Sequence, residues 1–201
     1  MPTTTLLLGT TNPKKIEYYQ RFLKDLGLKI VTASDLRIKD PEETGSSIEE
    51  NARLKAKYYC EQSNITTLAD DAGFEIPVLK NFPGTLAHRF TGEEMSDDQV
   101  VEEILLKMRG LKGDARKARM KVVLALALNP DKIHLAAGEI VGIVPEKSYE
   151  KRMKHFPYRS LLYLPSQKRW FYDLTDQEEE EIGYRAAAIK QLIPHLNREH
   201  A

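Results

Sequence analysis

The chain has 201 residues, 41% of them hydrophobic, with 30 basic and 30 acidic side chains in balance. That length fits one domain of good size or two closely packed lobes, and the balance argues against a nucleic-acid polymer held by a broad basic field while leaving room for a local basic site that takes a small polyanion. A single cysteine, Cys60, excludes an intrachain disulfide framework; with neither a charged leader nor a run of about 18 apolar residues, the expectation is a soluble, cytosolic protein without a membrane partner.

Residues 4 to 9 read as a short buried strand, followed by the polar turn Thr10-Thr11-Asn12 and a helix near 13 to 26. Asn12 is a favoured N-cap and Pro13 suits the first helical position; Ile16, Tyr19, Phe22, Leu23 and Leu26 recur at helical spacing until Gly27. Lys14 and Lys15 fall in the first turn, where the helix dipole disfavours cations by roughly 0.3–1 kcal/mol each unless a bound anion reverses the sign. Free backbone N–H groups, the two threonine hydroxyls, the Asn12 amide and one or both lysines then form a phosphate cradle without a glycine-rich loop. The competing reading is a capped surface helix with solvated lysines.

A strand is expected at 28 to 32, then the acidic Glu42-Glu43-Thr44-Gly45 ahead of a helix near 47 to 62, signalled by the capping-box spacing of Ser47 and Glu50. Asn51 and Lys55 share a face of that helix, with Tyr58 nearby. Next comes an apolar strand at 65 to 69 that delivers Asp70 and Asp71, and Gly73 lets the chain turn into a strand at 74 to 79. In extended backbone the two aspartates point to opposite faces, so at most one faces a given pocket directly. The rival reading makes Asp-Asp-Ala-Gly a turn and nothing more.

Ser96 and Gln99 signal a helix near 96 to 109. Two long β-like runs, 118 to 128 and 133 to 144, flank the Asn129-Pro130-Asp131 turn and predict an antiparallel pair. The stretch from Pro145 to Arg169 reads as irregular around a short strand at 161 to 164, and a helix is predicted near 176 to 196 with the acidic run Glu178 to Glu181 at its start. The pattern is α/β with a mixed sheet. An anion cradle, two acidic clusters able to hold a hard cation through oxygen, and a lysine on a helical face make up the inventory for magnesium-assisted cleavage of a nucleotide phosphate.

Four ordered motifs carry a resemblance. Thr10-Thr11-Asn12-Pro13-Lys14-Lys15 is similar to the opening of the inosine triphosphate pyrophosphatases, the Ham1-like hydrolases of non-standard purine nucleoside triphosphates. Glu43 to Ala56 resembles the family's acidic-glycine segment that ends in Lys-Ala, Ala69-Asp70-Asp71-Ala72-Gly73 its core, and Phe82-Pro83-Gly84 with Ala87-His88-Arg89-Phe90 its later loop; Gly138 to Ile143 resembles a family strand. The resemblance implies an elongated mixed sheet with flanking helices, two lobes around a nucleotide cleft, and a homodimer. It further implies Asp71 as the water-activating base and a magnesium contact, beside Asp70, with Glu42 or Glu43 helping to hold Mg2+. Lys15 and Lys55 are implied as triphosphate contacts, Thr10, Thr11 and Asn12 lie around the phosphates with Lys14, and Asn51, Ala72 and Arg89 join the substrate set. The reaction implied is water attack at the α-phosphorus, giving nucleoside monophosphate and pyrophosphate.

The last third departs from the family. Its base-binding loop corresponds to His155-Phe156-Pro157-Tyr158-Arg159-Ser160, with Arg159 where the family has aspartate. Its later Ser-His-Arg reads Gly183-Tyr184-Arg185, and a family lysine falls at Glu179. The reciprocal change suggests that Arg159 and Glu179 pair, or divide the recognition task, and that base specificity is altered. Phe156 and Tyr158, with Trp170, Phe171 or Tyr172, are the candidate stacking groups. The rivals are a pyrophosphatase for another modified or pyrimidine nucleotide, as in Maf-like relatives, and a nucleotide-binding protein in which Glu179 repels the phosphate tail and turnover is lost.

Overall fold

The structure is a computed structural model that describes residues 4–86, 95–154 and 156–197. The chain forms two compact units, the first drawn from residues up to Asp71, Val122–Gly138 and Arg185 onward, the second from Ala72–Lys121 and Glu139–Tyr184.

In the first unit β1 (Thr5–Leu8) leads through the 9–12 turn into α1 (Pro13–Leu23), and Gly27 ends the following 3-10 turn in the left-handed conformation, φ 66°. β2 (Lys29–Thr32) pairs parallel with one side of β1, and β3 (Thr67–Ile76) pairs parallel with the other through Leu7 opposite Thr67 and Leu8 opposite Leu68. β5 (Lys117–Asn129) and β6 (Lys132–Ile143) follow in the order β2-β1-β3-β5-β6. A two-residue connection between neighbouring strands requires an antiparallel hairpin, and Asn129 Oδ1 caps it by accepting from the N–H groups of Asp131 and Lys132. The sheet is therefore mixed, as expected. α2 (Ile48–Ser63) lays Ile48, Ala52, Ala56 and Cys60, spaced by four, onto Ala69, Val123, Ala125 and Ala127; the small side chains permit that close approach.

In the second unit β4 (Phe82–Gly84) pairs antiparallel with Phe74–Ile76 of β3, while β7 (Tyr163–Leu164) pairs with the end of β6 and β8 (Arg169–Trp170) with β7. α3 (Asp97–Lys107) opens with the full Ser96–Gln99 capping box. Buried Arg116 donates to the carbonyls of Met108, Leu111, Val144 and Pro145, tying this end of the unit together.

Three sequence expectations change. The strands at 65–69 and 74–79 are one strand, β3, because Gly73 continues extended and β4 supplies a partner beyond it; Asp70 to Gly73 is not a turn. The helix near 176–196 is two, α4 (Asp176–Ile182) and α5 (Tyr184–Asn197), because Gly183 adopts φ 74° and donates to the Glu179 carbonyl as a C-cap. Glu50 reaches back to Ser46 rather than to its cap, although Ser47 does accept from the Glu50 N–H. No described helix is long and apolar enough to cross a membrane.

Candidate active site

Chain order and strand register assemble the first cluster. β1 stops at Leu8 while β3 runs on, so Ala69, Asp70 and Asp71 extend past the end of their parallel neighbour, beside the turn into α1. Gly9 makes the approach possible: a Cβ there would meet Tyr59 Cδ2 at 2.7 Å, Thr67 Cγ2 at 3.1 Å and the Ala69 Cβ at 3.2 Å. The Gly9 N–H donates to the Leu68 carbonyl at 2.8 Å, locking the turn to β3. A ligand crevice beyond the carboxyl ends of parallel strands is the common placement in α/β sheets.

The cavity at this point has a volume of about 170 Å³, and its walls include Thr10, Thr11, Asn12, Lys15, Glu43 and Lys55, together with Gly9, Asp40 and Asp70. It is smaller than the roughly 300–1,000 Å³ of a site for a drug-sized molecule and suits a phosphate group. A larger cavity of about 860 Å³, bordered by Gln99, Glu102, Leu106, Arg109 and Glu146, holds none of the candidate site residues among those described.

Asp70 is the buried anchor of the cluster. Lys15 Nζ lies 3.0 Å from its Oδ1 and Arg185 Nη1 3.4 Å from its Oδ2. Burial pushes the Asp70 carboxyl up, but Lys15 and Arg185 outweigh it and hold the group below the usual carboxylate range. Tyr19, fully buried on α1, feels the same charge; burial first and then Asp70 push its phenol far up, so it remains protonated. Arg185, the retained arginine of the later motif, is tied to Asp70 in the first unit.

Asp71 behaves in the opposite way. Burial raises its carboxyl, Lys55 pulls it down and Glu43 pushes it up, leaving it above the ordinary range. Lys55 Nζ lies 3.2 Å from Asp71 Oδ1, donates to the Asp70 carbonyl at 3.4 Å and makes a close ion pair with Glu43. Desolvation lowers Lys55, yet Asp71 and Glu43 more than reverse it, so the ammonium stays charged. Of the acidic pair, Glu43 lines the cavity and Glu42 does not. Asn51 is 1% exposed and accepts from the Gly45 N–H at 2.8 Å, so it braces the loop that carries Glu43 rather than facing a ligand.

The cradle differs in one respect from the sequence expectation. Asn12 Oδ1 accepts from the N–H groups of Lys14 and Lys15, and Thr10 Oγ1 accepts from the N–H of Asn12, so these backbone donors are capped and the side chains define the cavity. Lys14 is exposed and outside the lining. Ala72 follows Asp71 on β3, half-buried. Arg89, with His88 and His155, lies outside the described residues.

The second cluster lies in the second unit. Arg159 Nη1 meets Glu179 Oε2 at 2.7 Å, with side chains only 12% and 16% exposed. Nη2 donates to the carbonyls of Phe171 and Leu174, and the guanidinium stands 4.4 Å over the Phe171 ring. The Tyr184 hydroxyl donates to Glu179 Oε1 at 3.0 Å. The reciprocal pair inferred from sequence is thus a direct contact. Phe156 remains 43% exposed, whereas Tyr158 stacks on Phe74 at 5.0 Å between ring centroids and is pushed far up in pKa by burial. Phe171 is covered by Arg159, and Trp170 and Tyr172 pack against Tyr149, so these three are committed to packing.

Sequence reasoning missed Asp40, Tyr59 and Tyr19. Tyr19 is legible only as an apolar helix position, and Asp40 sits in a stretch with no periodicity to place it.

Known proteins resemble the chain throughout. The profile of the Ham1 family matches residues 6–195. A dITP/XTP pyrophosphatase of Haemophilus influenzae is 34% identical over 194 residues, covering 95% of this chain and 98% of its own. The structure of a HAM1 protein from Coxiella burnetii superimposes with a TM-score of 0.86 at 28% identity over 98% of this chain and all of that one. The Staphylococcus aureus Ham1 protein gives 0.83 at 28% identity with the same coverage. With family motifs, fold and chain length all in agreement, the chain belongs to the Ham1 family of hydrolytic enzymes.

Proposed function

We propose that this protein hydrolyses non-standard purine nucleoside triphosphates to nucleoside monophosphate and pyrophosphate with Mg2+, and that its base specificity differs from that of its relatives. The observation that carries the reaction is the convergence of Lys15, Lys55, Glu43 and Asp71 around the end of β1, within a family whose members include dITP/XTP pyrophosphatases.

The donor set fits magnesium. Glu43 and Asp71 already share one cation, the Lys55 ammonium. Magnesium is typically held by one or two carboxylates, with water and phosphate oxygens filling its shell, so the lack of any group of three or more His, Cys, Asp or Glu ligands among the described residues agrees with that mode. Charge points the same way: the cavity sets two lysines against the carboxylates of Asp40, Glu43 and Asp70, a lining that repels a polyanion until a divalent cation joins it. When bound, the ion neutralises phosphate charge and lowers the pKa of water in its shell.

The chain's own groups supply the rest. Lys15 is held by Asp70 and Lys55 by Glu43 and Asp71, so both ammonium groups are positioned before phosphate arrives. Asp71, with its raised pKa, accepts the proton of the attacking water. The water oxygen bonds to the α-phosphorus, the bridging P–O bond to the β-phosphate breaks, and pyrophosphate leaves towards the lysines.

Altered base specificity is supported by the Arg159–Glu179 pair. Both terminal nitrogens of Arg159 are used inside the protein, so the acceptor that the family's aspartate offers has no counterpart at this position. The same contact neutralises Glu179, which weakens the case for a non-catalytic nucleotide binder. The homodimer belongs to this proposal on the resemblance alone, and the cytosolic location on the single cysteine, which suits a reducing compartment. The deciding test is a panel of standard, deaminated and modified nucleoside triphosphates with magnesium, resolving pyrophosphate from orthophosphate. Pyrophosphate with a monophosphate product supports the reading; no turnover across the panel refutes it. For specificity, an Arg159→Asp/Glu179→Lys variant that does not move towards inosine or xanthosine triphosphate counts against the altered-base reading.

A further inference from the structure

Asp40, which neither the sequence motifs nor the reaction above accounts for, accepts a hydrogen bond at each carboxylate oxygen. It lies in the irregular segment between β2 and α2 and lines the same cavity as Lys15 and Lys55. Thr11 Oγ1 donates to its Oδ2 at 2.5 Å, and the Tyr59 phenol donates to its Oδ1. The two donors differ in rigidity. Tyr59 is fully buried on α2, in a core cluster with Leu7 and Ala33, and its ring is the atom group that an added Gly9 Cβ would strike first. Thr11 is exposed and sits in the turn that opens α1, directly before the cap residue Asn12. Burial, followed by the Asp40 hydrogen bond and charge, pushes the Tyr59 phenol far up, so it remains a proton donor throughout the working pH range.

We propose that Asp40 is a positioning residue of the phosphate cradle: anchored on the Tyr59 phenol in the core, it holds the Thr11 hydroxyl and with it the 10–12 turn at the cavity wall. Thr11 then acts through Asp40, since its one hydroxyl proton is already given to that carboxylate. The arrangement pre-organises the turn, so that ordering it costs nothing when phosphate binds. Asp40 touches neither the reacting water nor the metal in this role.

The inference rests on the phosphate-cradle reading, and the test keeps the two apart. Tyr59→Phe removes one hydroxyl while keeping the ring and the Asp40 charge. Its expected signature is a KM for the preferred nucleoside triphosphate raised about three- to tenfold with kcat within about twofold, because a lost hydrogen bond that orders the cradle weakens ground state and transition state alike. Calorimetric binding of inorganic pyrophosphate with magnesium weakens by the same factor. Thr11→Val gives the same signature, Thr11→Ser restores the wild-type KM, and Thr11→Val adds little in the Tyr59→Phe background, because both break one chain of contacts. A lowered melting temperature for Tyr59→Phe with KM and pyrophosphate affinity unchanged assigns Tyr59 to core packing and overturns the proposal, as do independent, multiplying effects in the double variant. If the wild-type protein neither cleaves a nucleotide nor binds pyrophosphate, the cradle reading itself fails; if it does both and only the variants are silent, the role of Asp40 alone fails.

Discussion

Truncating Arg159 and truncating Glu179 should have unequal costs. Arg159→Ala removes the ion pair, two hydrogen bonds to the Phe171 and Leu174 carbonyls and the cover over the Phe171 ring, and strands a Glu179 carboxylate only 16% exposed. Removing one partner of a buried pair costs about 3–5 kcal/mol, and the residual exposure here places the expectation near the lower end, at about 3 kcal/mol. Glu179→Ala leaves the guanidinium its two carbonyls and its aromatic ring, so about 1–2 kcal/mol is expected. For a protein of this size each kcal/mol shifts the melting temperature by about 2–4 °C, giving roughly 6–12 °C for the arginine variant and roughly 2–8 °C for the glutamate variant. Urea unfolding followed by circular dichroism measures both, with unchanged slopes as the check that the unfolded state is comparable. Exchanging the two charges should not restore stability, because a carboxylate at position 159 would face two carbonyl oxygens. Equal costs for the single variants, or full recovery on exchange, would refute the view that Arg159 is bound mainly by the backbone it clasps.

The neighbouring aspartates should respond with opposite signs. The Asp70 carboxyl is held low, so it stabilises the fold above the unfolded carboxylate pKa of about 3.9 and loses that contribution as pH falls through its folded value; Asp70→Asn should lower the melting temperature at pH 7. The Asp71 carboxyl is raised, so its folded form favours the proton and stability is lost as pH rises through that higher value; Asp71→Asn should abolish pyrophosphate release while leaving the melting temperature at pH 7 unchanged or higher, and a large loss of stability contradicts this. Without magnesium the Asp71 carboxyl should accordingly titrate above an ordinary aspartate in an NMR titration, and a value at or below about 3.9 argues against the raised carboxyl. Gly9→Ala should cost about 1–3 kcal/mol by overpacking against Tyr59, Thr67 and Ala69 and should impair pyrophosphate binding; a neutral effect on both measures would mean the turn has room to shift.

Local signals were enough to place much of this protein. Asn12 and Pro13 mark the start of α1, and Ser96 and Gln99 that of α3, because cap and first-turn preferences are properties of a few adjacent residues. The motifs around Lys15, Lys55 and Asp71 were legible for the same reason, as was the reciprocal exchange at Arg159 and Glu179 once a family register was available. Tertiary structure decided the rest. Whether the chain turns after Asp71 depended on β4 pairing with Phe74–Ile76, and whether Glu42 or Glu43 faces the cavity depended on the path of the irregular segment ahead of α2. The opposite behaviour of Asp70 and Asp71, identical side chains one residue apart, follows from burial among Lys15 and Arg185 in one case and between Lys55 and Glu43 in the other. Sequence determines which charges a chain carries; their protonation and partners depend on through-space distance and desolvation, and residues such as Arg185 and Asp70, 115 positions apart, meet only when the sheet is built.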